Sequence, residues 1–410
     1  MTHEICKKME AYIYDTLRTP RGRGNKKGAL IGTTPTQLVV TLLEALKGRL
    51  PNLDTQKVQD LILGCVTQFM DQGANIAKTA AQHSGYGEHL CGVSLNRFCG
   101  SGLEAVNQAA AYIGAGFSDL IIAGGVESMS RVQMGMDGGA IAMDPSIALP
   151  GHFVPQGISA DLIATKYGFS REDVDAFALA SQQRAANAMA NGYFNNSIVP
   201  VKDVNGFVLL DKDENPRPET TMEALGGLNS AFAGIGEFGG FDQVAIDRYP
   251  EVEKINHVHH AGNSSAIVDG SGLALIGSKK IGDLLGLKPR AIIKSVATYG
   301  TDPTMMLVGP APTSRIALEK VGMKPSDIDL YEVNEAFAAV VLRFMQDLGV
   351  DHSKVNVNGG AIALGHPLGA TGCIILGTLL DELERRDLQT GLATLCIGGG
   401  MGIATIIERC

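Results

Sequence analysis

The stretch NRFCGSGLEAVNQAA, residues 96–110, places Cys99 where a polar step gives way to an apolar helix pattern. A helix N-terminus presents unpaired N–H groups that favour a thiolate, so this position predicts a thiol pKa below the ordinary ~8.5. Gly100, Ser101 and Gly102 keep the backbone slim, leaving room for an acyl group and for an N–H facing its oxygen. The same position also suits a buried packing cysteine. His366 lies in GGAIALGHPLGATG, 359–372, among small residues, and Pro367 fixes the φ that follows. An imidazole on such a stalk can serve as general base to a thiol; a core histidine with satisfied hydrogen bonds is the alternative. Cys396, in CIGGGMG, ends an apolar strand pattern, and the carboxyl edge of strands is where α/β proteins place ligands. A second thiol there can carry a proton, and glycine N–H groups beside it can hold an oxyanion. Asn334, in NEAFA, also ends a strand pattern and offers its amide to a water or an acceptor.

The elements that must position these side chains occur twice. AYIYDTLRTPRG near the N-terminus parallels AIIKSVATYG at 291–300, and VQDLILGCVTQ (58–68) parallels DIDLYEVNEAF (327–337). GVSLNRFCGSG (92–102) parallels VNVNGGAIALG (355–365), each read as a strand ending in Asn and running into a glycine-rich helix start. DLIIAGGVES (119–128) parallels ATLCIGGGMG (393–402). Helical patterns such as LEAVNQAAAYIGAG and EAFAAVVLRFMQDLG separate the strands. Each copy predicts β-α-β-α-β, so the fold class is α/β, with two duplicated layered halves of mixed sheet covered by helices. The His366 loop corresponds to the Cys99 segment in this pseudo-symmetry, which would bring the two together.

The expected boundaries are residues 1–128 for the first half, completed by 259–287, and 288–410 for the second. Residues 129–258 interrupt the repeat as a loop-rich domain placed to overhang a site between the halves. Its clearest helix is SREDVDAFALASQQRAANAMANG, with Ser170 as N-cap, Glu172 and Asp173 at its positive end and Gly192 as its stop.

Composition narrows the function classes. The chain has 410 residues, 45% apolar and 19% charged, so it predicts a compact globular protein with a large core. A net charge of −9, no Trp and 5% aromatic residues argue against nucleic-acid binding and anionic membranes. Seven cysteines without CxxC or disulfide spacing, and no signal peptide, predict a reducing cytoplasm. No apolar run is long enough to span a membrane.

NRFCGSG, AGNSS, NEAFA, GGAIALGHPLGATG and CIGGGMG, in this order, resemble the thiolase family over essentially the whole chain. GGVESMSR, SREDVDAFALASQQRAA and TLCIGGGMGIATIIER are most similar to degradative 3-ketoacyl-CoA thiolases, including β subunits of bacterial trifunctional complexes. The resemblance implies the thiolase fold, an αβαβα sandwich, and an acyltransferase acting in fatty-acid β-oxidation. Cys99 would attack the 3-keto carbon of a 3-ketoacyl-CoA, acetyl-CoA would leave, and a second CoA would release a shortened acyl-CoA. His366 would take the thiol proton and, with a water on Asn334, stabilise the enolate oxygen; Cys396 would protonate the carbanion. The N–H groups of Cys99 and Gly398 would hold the thioester oxygen, one such donor contributing about 3 kcal/mol. Glu335 would support the motif.

By the same resemblance, Ser265 lies near the pantetheine and Arg217 near the adenine nucleotide, with Phe232, Met306, Ala336 and Phe337 along the cofactor arm. Coenzyme A would be a substrate, with no permanently bound cofactor and no metal. A homodimer or homotetramer, in the cytoplasm, is implied, along with a hydratase/dehydrogenase α subunit as a candidate partner. LGGLNSAF lacks the basic and proline residues many relatives carry, and His259-His260 stand where a threonine is usual, which puts the adenine-end contacts in doubt. The alternatives are a biosynthetic acetoacetyl-CoA thiolase and, more distantly, a non-catalytic subunit of the same fold. A decarboxylating ketoacyl synthase is disfavoured by the second cysteine.

Other motifs receive plainer readings. HVHH (257–260) alternates as a strand and is not read as a metal site; RTPRGRGNKKG (18–28) reads as a solvated basic loop. DGGAIAMDPS is either a lid or a surface turn, and GIGEFGG lacks the frame of a dinucleotide fingerprint. Cys6, Cys65, Cys91, Cys373 and Cys410 read as packing or terminal residues.

Overall fold

The computed structural model describes residues 10–410; Cys6 and the start of the expected first half lie outside the described residues. The first half runs β1 (Tyr12–Arg18), α1 (Pro35–Arg49), β2 (Asp60–Gly64), α2 (Ile76–His83), β3 (Val93–Leu95), α3 (Ser101–Gly114) and β4 (Leu120–Ser128). Two long helices of the inserted stretch follow, α4 (Gln156–Tyr167) and α5 (Arg171–Ala190), before β5 (Val268–Gly277) returns to the first half. The second half repeats the order with β6 (Ala291–Gly300), α6 (Pro310–Glu319), β7 (Leu330–Val333), α7 (Ala338–Leu348), α8 (Thr371–Arg385), β8 (Thr390–Ile397) and β9 (Met401–Arg409).

Strand pairing links both halves into one ten-stranded mixed sheet, ordered β7-β8-β9-β6-β1-β5-β4-β2-β3 with Gly22–Arg23 added on β5, while Val201–Lys202 and Val208–Leu210 form a separate two-stranded sheet. β2 pairs in parallel with β3 and β4, and β7 with β8; the remaining pairs are antiparallel. The seam between the halves is short, Tyr12 opposite Ile292 and Ile13 opposite Ala291.

Period-two alternation then sorts the strand residues into layers. Leu61, Leu63, Leu120, Ile122, Leu273 and Leu275 face α1 and α2 in one core. The residues between them, Ile62, Ile121, Ala123, Ala274 and Ile276, face α3 and α8 in a second core, which also takes Leu395, Ile397 and Ile403 from the other half. Tyr331, Val333, Leu392 and Ala404 turn outward to α6, α7 and the inserted α4. The layers are therefore α-β-α-β-α, and the middle layer is one helix from each half.

In the insertion, Ser170 and Asp173 form a capping box at the start of α5, and Gly192 (φ +70°) follows its end in the left-handed region. Three expectations are corrected. Val355 makes only a single bridge to Tyr331, so VNVNG is no strand. The side-chain amide of Asn356 replaces it: Val333 N–H donates to Oδ1 and Nδ2 donates to Val333 O, both at 2.8 Å. HVHH is irregular because its imidazoles are anchored to carboxylates of the inserted helices, His257 and His259 to Asp161 and His260 to Asp175. The basic loop is not solvated throughout, because Arg18 and Arg21 are buried around Asp213.

Candidate active site

α3 and α8 start side by side because glycines allow backbone contact there. A Cβ on Gly102 would lie 2.7 Å from Gly369 O, and one on Gly372 only 2.3 Å from Leu103 N. Leu368, two residues past His366, packs with Cys99, Val66 and Met129, so the His366 loop abuts the Cys99 segment. Beneath them the buried Glu127 carboxylate accepts from Val66 N, Thr67 N, Gln72 Nε2 and Gly369 N at 2.7–3.1 Å, tying β4 to both loops.

Cys99 is 5% exposed, at the floor of an apolar pocket of about 210 Å3. Val66, Phe98, Met134, Ile141, Phe153 and Met306 are among its walls, and Gly398 and Gly399 close one side. DGGAIAMDPS is thus part of this wall, through Asp137, Gly138, Ile141 and Ala142. Two wall residues that are not glycine, Phe98 (φ +45°) and Met306 (φ +42°), hold left-handed backbone, strain of the kind that gathers at working sites.

The expected lowering of the Cys99 pKa is overturned. Burial pushes the thiol up to about 11, although N–H groups of Gly398 and of Cys99 itself and the side chain of Gln156 pull it back down. Desolvation outweighs the helix end because the sulfur is almost wholly withdrawn from water. Cys396, at the end of β8, is also buried, and burial with the neighbouring Cys99 pushes its thiol up.

His366 is buried and its pKa falls to about 3, first through desolvation and then through the charge of Arg21. Thr371 donates its hydroxyl proton to Pro367 O at 2.9 Å, so it can only accept from His366 Nδ1, 2.5 Å away. That network leaves Nε2 unprotonated, facing Asn334 Nδ2 at 3.3 Å. Asn334 Oδ1 is buried without a protein partner. Glu335 accepts from Ser181 Oγ, Asn356 Nδ2 and Ile362 N, fixing the strand end that carries Asn334.

The expected coenzyme positions fall into two groups. Ser265 N donates to Ala336 O at 2.9 Å, His366 N donates to Ala266 O at 2.9 Å, and Phe232 meets Phe337 edge-on at 5.9 Å. Arg217 borders a separate cleft of about 330 Å3 with Gln182, Asn215, Leu228 and Ala266. Met306, expected along the cofactor arm, lines the Cys99 pocket. His259 and His260 are both buried and bonded to aspartates, and His259 meets Phe337 edge-on at 5.6 Å. Sequence reading missed Gln156, Thr371, Glu127 and Arg21. GGVESMSR contained Glu127 but gave no sign of its four donors.

The duplicated layers, with a thiol at a helix start lining an apolar pocket and a second thiol near it at a strand end, are an arrangement suited to covalent acyl transfer, the class of an acyltransferase. Comparison with known proteins agrees. The family description "Thiolase, N-terminal domain" matches residues 11–239 and "Thiolase, C-terminal domain" matches residues 287–409. A 3-ketoacyl-CoA thiolase of Aliivibrio fischeri is 40% identical over 97% of this chain and 98% of its own. The 3-ketoacyl-CoA thiolase FadA of Escherichia coli (strain K12) is 40% identical over 98% of this chain and 99% of its own. The crystal structure of a Bacillus anthracis acetyl-CoA acetyltransferase superposes with a TM-score of 0.85, at 36% identity, over 98% of this chain and 100% of that one. The chain belongs to the thiolase family.

Proposed function

We propose that this thiolase cleaves 3-ketoacyl-CoA with CoA, yielding acetyl-CoA and a shortened acyl-CoA in fatty-acid β-oxidation. The observation that carries the reading is Cys99 beneath an apolar pocket with backbone N–H groups of Gly398 and Cys99 directed at its sulfur. His366 Nε2 takes the Cys99 proton as the sulfur attacks C3. The C2–C3 bond breaks, its electrons pass to acetyl-CoA as an enolate, and Cys396 supplies the proton that completes acetyl-CoA. Asn334, whose Oδ1 lacks a protein partner, holds the water that steadies the enolate oxygen. The N–H groups of Cys99 and Gly398 stabilise the oxyanion when the second CoA attacks the thioester. Thiol and imidazole both rest neutral, so proton transfer accompanies attack and no preformed ion pair is needed.

Arg217 binds the adenine nucleotide in the outer cleft, and Ser265, Phe232, Ala336 and Phe337 flank the pantetheine. CoA acts as substrate and no cofactor is retained. The active form is a homodimer or homotetramer of the cytoplasm, able to join a hydratase/dehydrogenase α subunit; co-purification at native expression tests the last point. No helix among the described residues is long and apolar enough to cross a membrane.

The test of function is CoA-dependent cleavage over a ladder of 3-ketoacyl-CoA lengths, with acetyl-CoA condensation run beside it. Cleavage that improves beyond four carbons supports the reading, because the pocket walls are long apolar side chains. Activity confined to acetyl-CoA condensation would assign the biosynthetic reaction, and no turnover in either direction a non-catalytic subunit.

A further inference from the structure

The buried half of RTPRGRG has no part in the chemistry above. Arg18 takes both oxygens of Asp213 at 2.8 Å, while the nearest guanidinium atom of Arg21 is 3.8 Å from that carboxylate, too far for a hydrogen bond. Arg21 is only 3% exposed, and its Nε and Nη1 are buried without a partner. Leaving such donors unpaired costs stability, so folding alone gives no reason for a second arginine here.

Arg21 lines a narrow cavity of about 10 Å3 together with Asn334, Thr371, Glu332 and Gly365. Asn334 and Thr371 are the two residues that hydrogen-bond the His366 imidazole. The space fits about one water, and Asn334 Oδ1 is a second unpartnered group among the lining residues. We propose that Arg21 is a positioning residue for the base: its guanidinium acts on His366 through the cavity it shares with the two hydrogen-bond partners of that imidazole. The proposal rests on reading Cys99 and His366 as the nucleophile and its base.

The surrounding charges support it. Arg21 is faced by Arg18, Asp213, Glu332 and Glu335. Asp213 is already paired with Arg18, and burial drives Glu332 toward its protonated form, with Glu335 and Glu382 adding to the effect and Arg21 and Arg184 opposing it. Burial pushes the Cys99 and Cys396 thiols up, toward their neutral forms. The Arg21 charge therefore disfavours a proton on His366 and keeps Nε2 available.

Thiolysis kcat and KM should be followed from pH 3 to 9 for the wild type, Arg21→Gln and Arg21→Lys. In Arg21→Gln the acid limb of kcat moves up by about one pH unit. At pH 3.5 its kcat falls about threefold with KM for CoA within about twofold. Arg21→Lys, which keeps the charge, restores the wild-type limb. Wild-type profiles in both variants, equal slowing with an unmoved limb, or failure of Arg21→Gln alone to fold would each assign Arg21 to packing and overturn the proposal. Turnover surviving in Cys99→Ala would instead overturn the reading on which it rests.

Discussion

Thr371 decides which nitrogen of His366 is open to act as the proposed base, because its own proton is committed to Pro367 O. Thr371→Val removes the acceptor for Nδ1–H and frees the other tautomer. We expect kcat to fall about 100-fold with KM little changed, the loss typical of a misdirected general base. Steady-state kinetics on the folded variant check this; an unchanged kcat would mean that Nδ1 needs no partner. Cys99→Ala should form no acyl-enzyme, read as the absence of an acyl mass adduct after mixing with 3-ketoacyl-CoA. Cys99, His366 and Cys396 stood out in the sequence as candidates because packing alone rarely sets thiols and an imidazole among so many glycines. Thr371 was not, since a threonine near a helix start ordinarily caps it. Gln156 and Arg21 reach the site from distant segments, and nothing local to either marks the destination. The Cys99 pKa was misjudged because a helix end is visible in sequence, whereas the depth of burial opposing it is not.

At the scale of elements, the site depends on close backbone approach. A Cβ at Gly125 in β4 would sit 1.9 Å from Gly369 O, inside the clamp that Glu127 makes on the His366 loop. Gly125→Ala should destabilise by about 3 kcal/mol, since neither backbone has room to yield. Thermal unfolding measures it, and a melting temperature equal to wild type would show that the loop relaxes freely. Asn356→Ala removes both hydrogen bonds that stand in for the missing strand beside β7, at a cost of about 2 kcal/mol. β2, β4 and β8 were readable from their apolar runs, whereas β5, broken by Asp269 and Ser271, and β9, broken by Thr405, were not read as strands. VNVNG was not, because an asparagine side chain imitating a peptide group has the same letters as one that ends a strand.

For the whole molecule, buried histidines set the pH range of stability. His366 binds its proton only near pH 3 when folded but near 6.5 when unfolded, so acid favours the unfolded chain and stability falls as pH drops through that interval. His257 behaves oppositely. Held between Asp161 and Asp242, it keeps its proton up to about pH 9, so its contribution is complete below about 6.5 and is lost as pH rises toward 9. His257→Asn should flatten the alkaline decline in melting temperature between pH 7 and 9 while lowering stability at pH 6. A wild-type slope in the variant would show that another group governs the decline. The duplicated plan was legible from four recurring segments, yet no single segment told how the copies share a core. They meet along two residue pairs of sheet, and the layer between them is built from one helix of each. Expressed as separate fragments, each would bare a sheet face lined by isoleucine and leucine, with only half of its cover. Active enzyme should then be recovered only when both pieces are made in the same cell, since neither has an interior of its own to complete.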